Sequence, residues 1–248
     1  PEDVLNHTCN FYLGTEKGVS VGVWHTLPAS QWEEAAGRGP EWYRETLGDG
    51  RPVIIYLHGN LGTRWGESDE SNIPVFQILS AAGYHVLSLD YRGFGDSSGE
   101  PSEAGLTSDA LFLLRWAQQQ SRGAAVCLWG HSLGSGSVYS SAVDAVILEA
   151  AFTTVGDVVA IHPITRVSLA HTSSDNPVNS LETLTSPLLI LHSEDDSVVP
   201  YHMGQKISLQ AKKQHNSDVQ VEMISYDAHL GFSHNNIYLD PNLSHVVG

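Results

Sequence analysis

A serine flanked by glycines at the end of an apolar run is the first residue in this chain that could do covalent chemistry. Residues 124–140 read AAVCLWGHSLGSGSVYS, in which the run ends at a G-x-S-x-G turn centred on Ser132. Between a strand and a helix, such a turn lifts the serine hydroxyl above the sheet edge, where it can attack an acyl carbon. Gly130 and Gly134 are needed because a side chain at either position would collide with the neighbouring strand and helix. The pattern predicts Ser132 as a nucleophile.

Two backbone N–H groups are expected to stabilise the negative oxygen that forms during such an attack. The helix predicted to begin at Leu133 directs its free N–H groups and its positive dipole end towards that oxygen. The second donor is expected after the apolar run 52–57, which ends in His58-Gly59-Asn60. Asn60 is the candidate, acting through its backbone. An ordinary strand-ending turn is the alternative reading of these three residues.

An acid and a base follow in the chain, each after a predicted strand. The run 187–192 leads into Glu194-Asp195-Asp196, and the last predicted strand, 219–226, is followed by His229 and His234. The order serine, acid, histidine is the order used by the α/β-hydrolase fold. His229 is close enough to reach the sheet edge on a short loop, whereas Gly231 allows the loop to fold back at His234. The residues alone leave the choice of histidine open.

The elements that must position these residues alternate along the chain. Two opening strands, Phe11–Leu13 and Val19–Thr26, are predicted to be antiparallel. Buried strands then alternate with helices, among them an amphipathic helix over 107–120 and a helix over Lys206–Lys213. This alternation predicts an α/β protein with a mostly parallel central sheet and helices on both faces. We expect a single α/β-hydrolase domain over 1–248. A lid is expected at about 153–186, where periodicity fades, although a surface loop is the equal alternative.

Composition excludes several classes of protein. Twelve basic and 28 acidic residues among 248 give a net charge of −16, which opposes nucleic-acid binding. The two cysteines, Cys9 and Cys127, do not indicate a disulfide framework. No apolar run is long enough to span a bilayer. The opening at Pro1, without methionine or a signal-like segment, suggests a trimmed product that lacks its targeting information.

Two further features concern processing and continuity. Asn6-His-Thr8 is an N-glycosylation acceptor, and a second sequon lies at Asn242. Only about nine residues separate Leu133 from the next predicted strand, and no turn residue intervenes. We therefore expect residues to be missing from the chain near Ser141, and also within the lid. A Cα distance of about 3.8 Å across the 141–142 bond would refute a break.

Several motifs together resemble the lysophosphatidylserine lipase (monoacylglycerol lipase) family of α/β-hydrolase-domain proteins. The similarity covers nearly the whole chain and rests on GVWHTLP from Gly22, LHGN from Leu57, DYRGFGDS from Asp90, WGHSLG from Trp129, LILH from Leu189, EDD from Glu194 and LGFSH from Leu230. The resemblance implies Ser132 as nucleophile, Asp196 as acid and His234 as base. It also implies a membrane-anchored enzyme whose transmembrane helix precedes this segment. Its catalytic domain would face the endoplasmic reticulum lumen or the cell exterior, which agrees with a glycan on Asn6.

The expected activity is hydrolysis of a lipid ester through an acyl-enzyme, with lysophosphatidylserine or monoacylglycerol as the substrate. No metal or organic cofactor is required for this chemistry. Arg92, Arg64 and Arg166 are candidates for a charged head group, because a guanidinium suits phosphate or carboxylate. A protein depalmitoylase or a serine peptidase on the same fold is the alternative, since fold does not fix substrate. A non-enzymatic module that retains the fold is the second alternative. Oligomeric state is left open.

Overall fold

A computed structural model describes residues 7–60, 62–64, 72–138, 143–153, 184–214 and 219–247. Within these ranges the chain forms one eight-stranded sheet with the order β1-β2-β4-β3-β5-β6-β7-β8. The strands are β1 (Thr8–Glu16), β2 (Val19–Thr26), β3 (Val53–Leu57), β4 (His85–Leu89), β5 (Val126–His131), β6 (Ala145–Glu149), β7 (Leu188–Ser193) and β8 (Val221–Tyr226). β1 pairs antiparallel with β2 and β2 antiparallel with β4, and the remaining neighbours are parallel.

Helices lie against this sheet on both faces. The described helices are α1 (Pro40–Thr46), α2 (Ile73–Ala81), α3 (Glu103–Gln120), α4 (Tyr201–Gln214) and α5 (Leu243–Val246). Short 3-10 turns at Ala29–Gln31, Glu33–Ala35, Ser132–Ser137, Ala228–Leu230 and Ile237–Leu239 complete the described elements. No helix in these ranges is both long and apolar enough to cross a membrane.

Two apolar clusters bury the two faces of the sheet. Ile55 and Leu57 of β3 pack in one cluster with Leu113 of α3, whereas Ile54 packs in the other with Phe76 of α2. Consecutive strand residues point to opposite faces, so a strand covered on both sides must be apolar at every position. All residues of β3 and β4 are buried; β3 is apolar throughout, whereas β4 also buries His85 and Ser88. The predicted mostly parallel sheet with helices on both faces is confirmed.

Parallel pairing brings the carboxyl ends of β3 to β8 to one edge of the sheet. The segments that follow β3, β5, β7 and β8 carry, in that order, Asn60, Ser132, Asp196 and His234. This edge is where ligands bind in open α/β sheets. The fold therefore places all four predicted site residues on the same side of the molecule.

Some predicted bounds differ from the observed ones. β1 is longer than the predicted Phe11–Leu13, because as an edge strand it alternates half-buried and exposed residues and lacks a continuous apolar run. α3 begins at Glu103 rather than Thr107, since the Ser102 side chain accepts a hydrogen bond from Gly105 N–H and caps the helix there. The expected break at Ser141 and residues 154–183 of the expected lid lie outside the described residues.

Candidate active site

Ser132 occupies a sharp turn between β5 and the 3-10 turn that follows it. Its φ angle is 49°, in the left-handed region that non-glycine residues rarely adopt. A Cβ added to Gly130 would lie 2.7 Å from the carbonyl oxygen of Gly134, and one added to Gly134 would overlap the carbonyl oxygen of Leu57. The two glycines thus let the turn close against itself and against β3, as the sequence predicts.

The segment after β3 borders the serine directly. A Cβ added to Gly59 would lie 3.4 Å from Ser132 Cβ and 3.2 Å from His131 Nδ1, so Gly59 lets the chain pass close to the turn. Asn60 follows Gly59 and is half-buried. The predicted oxyanion residues, Leu133 and Asn60, therefore flank Ser132 from the two neighbouring strands β5 and β3.

Asp196 and His234 form a buried hydrogen-bonded pair. His234 Nδ1 lies 2.8 Å from Asp196 Oδ2, and the two residues are 7% and 6% exposed. The other carboxylate oxygen accepts hydrogen bonds from the N–H groups of Val198 and Val199, each at 2.8 Å. Burial by itself raises the pKa of Asp196, but the hydrogen bond to His234 and the Val199 N–H outweigh it and hold the pKa below its ordinary value. Asp196 is an ionised acceptor near neutral pH.

His234 also lies beside the Ser132 turn. His131 Nε2 is 3.1 Å from the carbonyl oxygen of His234, and the two imidazole rings are 5.0 Å apart between centroids. His229 has a different setting: its side chain is 75% exposed, and its Nδ1 lies 2.6 Å from Asp227 Oδ1. Of the two histidines that the sequence leaves open, His234 is the one that meets the acid next to the serine.

Buried histidines surround the site in their neutral form. Burial lowers the pKa of His58 to about 4, and it also lowers the pKa of His131 and of His192. His192 Nε2 lies 2.8 Å from the carbonyl oxygen of Val199, in the turn that wraps Asp196. These neutral rings act as hydrogen-bonding groups that shape the site, since a buried charge would be costly.

The two described arginines predicted to bind a head group are already engaged. Arg64 Nη1 lies 2.8 Å from Asp90 Oδ2 and 2.9 Å from Asp96 Oδ1, and the arginine is 7% exposed. Arg92 donates two hydrogen bonds to the Asp109 carboxylate, from Nε at 3.0 Å and from Nη2 at 2.7 Å. Their guanidinium groups therefore hold loops together through these carboxylates. Arg166 and Asn6 lie outside the described residues.

Three residues that the sequence did not single out help to build the site. Asp90 receives Arg64 through both its backbone N–H and its guanidinium, and it anchors the segment that carries Asn60. Asp195 accepts a hydrogen bond from the N–H of Ser233, at 2.9 Å. His131 is the first of the two variable residues of the G-x-S-x-G turn. The one available signal was the pair of adjacent acids at 195–196, of which one was expected to act.

The described parts of the chain contain no group of three or more His, Cys, Asp or Glu side chains arranged to hold a metal ion. What the geometry offers is a serine in a strained turn, a histidine beside it and an ionised carboxylate behind the histidine. That combination suits nucleophilic attack with proton transfer to the histidine.

Comparison with solved structures shows the same fold. The Pyrococcus furiosus esterase Pf2001 superposes with a TM-score of 0.76 at 17% identity, covering 100% of this chain and 91% of that one. Est1E from Butyrivibrio proteoclasticus, in a structure with ferulic acid bound, superposes with a TM-score of 0.68 at 19% identity and 96% coverage of both chains. At these identities the likeness concerns the fold alone.

Sequence comparison shows closer kinship. The family model of the alpha/beta hydrolase fold matches residues 52–153. Lysophosphatidylserine lipase ABHD12 of Xenopus tropicalis is 40% identical over 276 residues, covering 100% of this chain and 70% of that protein. The Danio rerio protein of the same name is 39% identical with equal coverage, and human Protein ABHD12B is 39% identical over 98% of this chain and 72% of its own. Identity of this extent over the full chain shows that the chain belongs to the lysophosphatidylserine lipase ABHD12 family of the alpha/beta hydrolase fold.

Proposed function

We propose that this protein hydrolyses carboxylic esters of lipids, with Ser132 as nucleophile, His234 as base and Asp196 as the acid that orients it. The observation that carries the proposal is the buried His234–Asp196 hydrogen bond beside the strained Ser132 turn. The names of the ABHD12 relatives support a lysophosphatidylserine substrate. Monoacylglycerol is the second substrate to test, because it offers the same ester bond to glycerol without the charged head group.

In the first half of the reaction, Ser132 Oγ attacks the ester carbonyl while His234 Nε2 takes its proton. Asp196 accepts the Nδ1 hydrogen bond, which fixes the tautomer that leaves Nε2 free to act as a base. The ionised carboxylate then stabilises the imidazolium. The alcohol leaves after His234 returns the proton to its oxygen, and the acyl group stays on Ser132.

The backbone N–H groups of Leu133 and Asn60 are assigned to stabilise the negatively charged oxygen of the tetrahedral intermediate formed at each step. Gly59 supports this assignment, because its close approach to Ser132 Cβ brings the chain before Asn60 against the reacting serine. Loss of one such donor lowers kcat by about 100-fold to 1,000-fold in well-studied cases. In the second half, water attacks the acyl-enzyme with His234 again as base, and the fatty acid is released.

The activity test pairs each reactive residue with a matched control. Purified protein is assayed with lysophosphatidylserine, monoacylglycerol, a palmitoyl thioester and a peptide, and Ser132 is labelled with a fluorophosphonate. We expect Ser132→Ala to abolish labelling and hydrolysis, and His234→Ala to lower kcat by at least about 1,000-fold. His229→Ala should keep full activity, since its ring is exposed and bonds to Asp227. Undiminished hydrolysis by Ser132→Ala or by His234→Ala would overturn the assignment.

We also propose that the protein resides in the endoplasmic reticulum membrane, with this catalytic part on the lumenal or extracellular side. The sequence resemblance and the sequon at Asn6 support this location. Expression in a secretory host followed by endoglycosidase treatment provides the test. Because of the second sequon at Asn242, the test is made in an Asn242→Gln background, where we expect a gel-mobility shift that Asn6→Gln removes; an unchanged mobility of the Asn242→Gln protein contradicts the proposal.

A further inference from the structure

The backbone around His234 is held by side chains that do not belong to the Ser132, Asp196 and His234 set. On the N-terminal side, Asp195 Oδ1 accepts a hydrogen bond from Ser233 N–H at 2.9 Å. The same oxygen accepts the hydroxyl of Ser193, so the carboxylate is fixed between the end of β7 and the loop that carries His234. Ser233 has a φ of 51°, which is unfavourable for a residue with a side chain. Such a conformation persists only where surrounding contacts impose it.

On the C-terminal side, the carbonyl oxygen of His234 lies 3.1 Å from Nε2 of His131. A carbonyl oxygen can only accept, so His131 must carry its proton on Nε2 and donate it. Burial lowers the pKa of His131, which keeps the ring neutral, and the residue is 6% exposed. His131 directly precedes Ser132, so this hydrogen bond ties the backbone of the histidine to the turn that holds the serine.

Each anchor therefore joins His234 to a different partner in the reaction. Asp195 is adjacent to Asp196 and holds the residue before His234, while His131 is adjacent to Ser132 and holds His234 itself. A base must stay within hydrogen-bonding reach of the proton that it takes, and a displacement of about 1 Å can cost about 100-fold in rate. The loop after β8 needs such anchoring because Asp196 fixes only the ring of His234.

We infer that Asp195 and His131 are positioning residues, which set the distance from His234 to Ser132 by holding the His234 backbone on both sides. This inference rests on the proposed function of Ser132 and His234. Neither residue touches the reacting atoms in the mechanism given above. Their loss should thus lower kcat with little change in KM, because the base acts only in the transition state.

The first experiment compares Asp195→Ala with Asp195→Asn. Asparagine keeps an oxygen that can accept from Ser233 N–H and from the Ser193 hydroxyl, whereas alanine removes it. We expect Asp195→Ala to lower kcat and the rate of fluorophosphonate labelling by about 10-fold to 100-fold, and Asp195→Asn to stay within about threefold of the parent. Asp227→Ala is the matched control, since Asp227 accepts hydrogen bonds from His229 in the same loop but is 65% exposed. It should leave kcat unchanged.

The second experiment replaces His131 by leucine, which has no donor, and by glutamine, whose amide N–H can restore one. We expect kcat to fall about 10-fold or more in His131→Leu and to recover in His131→Gln. If Asp195→Ala does not fold, Ser193→Ala tests the same anchor by freeing the carboxylate, with a smaller expected loss of kcat.

Different results would contradict the proposed catalytic role of His234 and the positioning role of Asp195 and His131. If His234→Ala retains activity, the proposed function is wrong. If His234→Ala is inactive while Asp195→Ala and His131→Leu keep kcat within about twofold, only the positioning role is wrong. Addition of Asp195→Ala to a His234→Ala background should cause no further loss of the residual rate, since the anchor acts through the base. A further loss of similar size would also overturn the inference.

Discussion

The left-handed backbone at Ser132 predicts that glycine is more stabilising there than alanine. Ser132 has a φ of 49°, a conformation that costs a residue with a Cβ about 1–2 kcal/mol. Alanine keeps that cost and glycine removes it, and neither has the hydroxyl. Glycine also lowers the free energy of unfolding by about 0.4–1 kcal/mol, because it has greater conformational freedom in the unfolded chain. From the middle of each range, Ser132→Gly should exceed Ser132→Ala by about 0.8 kcal/mol in free energy of unfolding.

Equilibrium urea unfolding measures this difference directly, because both variants are inactive and differ by one methyl group. For a chain of 248 residues, the expected difference in Tm is only about 1.5 °C, so the urea midpoint is the sharper readout. Ser108 provides the matched control, since it is exposed in the interior of α3. There glycine should be less stable than alanine by about 1 kcal/mol, the opposite sign.

A Ser132→Ala protein as stable as Ser132→Gly, or more stable, would refute this prediction if the Ser108 pair behaves as expected. That result would mean that the surrounding contacts, and not the Cβ, set the energy of the turn. The expected result would instead show that part of the stability of this fold is given up to hold the nucleophile in place.

Three further predictions concern packing, pH and charge. Gly134→Ala should lower the free energy of unfolding by more than about 2 kcal/mol, because its methyl group overlaps a backbone carbonyl of β3. Gly136→Ala should be neutral, because its nearest neighbour would be 3.9 Å away. Equal urea midpoints for the two variants would contradict this prediction. Burial lowers the pKa of His58 to about 4, against 6.5 in the unfolded chain, so the unfolded state binds this proton more readily. The free energy of unfolding should therefore fall by up to about 3 kcal/mol as pH falls from 6.5 to 4. His58→Gln should flatten this dependence on pH, and an unchanged slope would refute the prediction. Arg64→Met should destabilise by about 3–5 kcal/mol by removing the charged partner of the buried Asp90, and adding Asp90→Asn should recover most of that loss; purely additive losses would contradict the pairing.

The parallel strands, and the residues that follow their carboxyl ends, could be predicted from the sequence because both depend on one physical requirement. A strand covered on both faces must be apolar throughout, and the apolar run 52–57 contains the whole of β3 (Val53–Leu57). The same requirement places whatever follows the strand at the ligand-binding edge, which is why Ser132 and Asn60 could be located. α4 was harder: its first turn begins at Tyr201, directly after Pro200, but the sequence supported a helix only from Lys206. Its buried face includes Gly204 and Ser208, which weaken the apolar pattern.

Contacts between side chains distant in sequence follow no such requirement. Arg64 and Arg92 looked like free cations because their partners, Asp90 and Asp109, lie 26 and 17 residues away. Arg64 is also accommodated only because Gly22 has no Cβ, which would overlap its guanidinium. Spacing along the chain carries no sign of that clearance.

The two adjacent acids at 195–196 show what the sequence could predict and what only the structure reveals. Sequence order indicates that a carboxylate after β7 belongs with a histidine after β8, but it does not say why two stand together. In the structure, Asp196 Oδ2 meets the ring of His234, and Asp195 Oδ1 meets the N–H before it. Consecutive side chains in a turn leave the backbone in different directions, so one acid cannot reach both groups. A base on a loop needs its ring oriented and its backbone fixed, and two neighbouring carboxylates meet both needs from one turn.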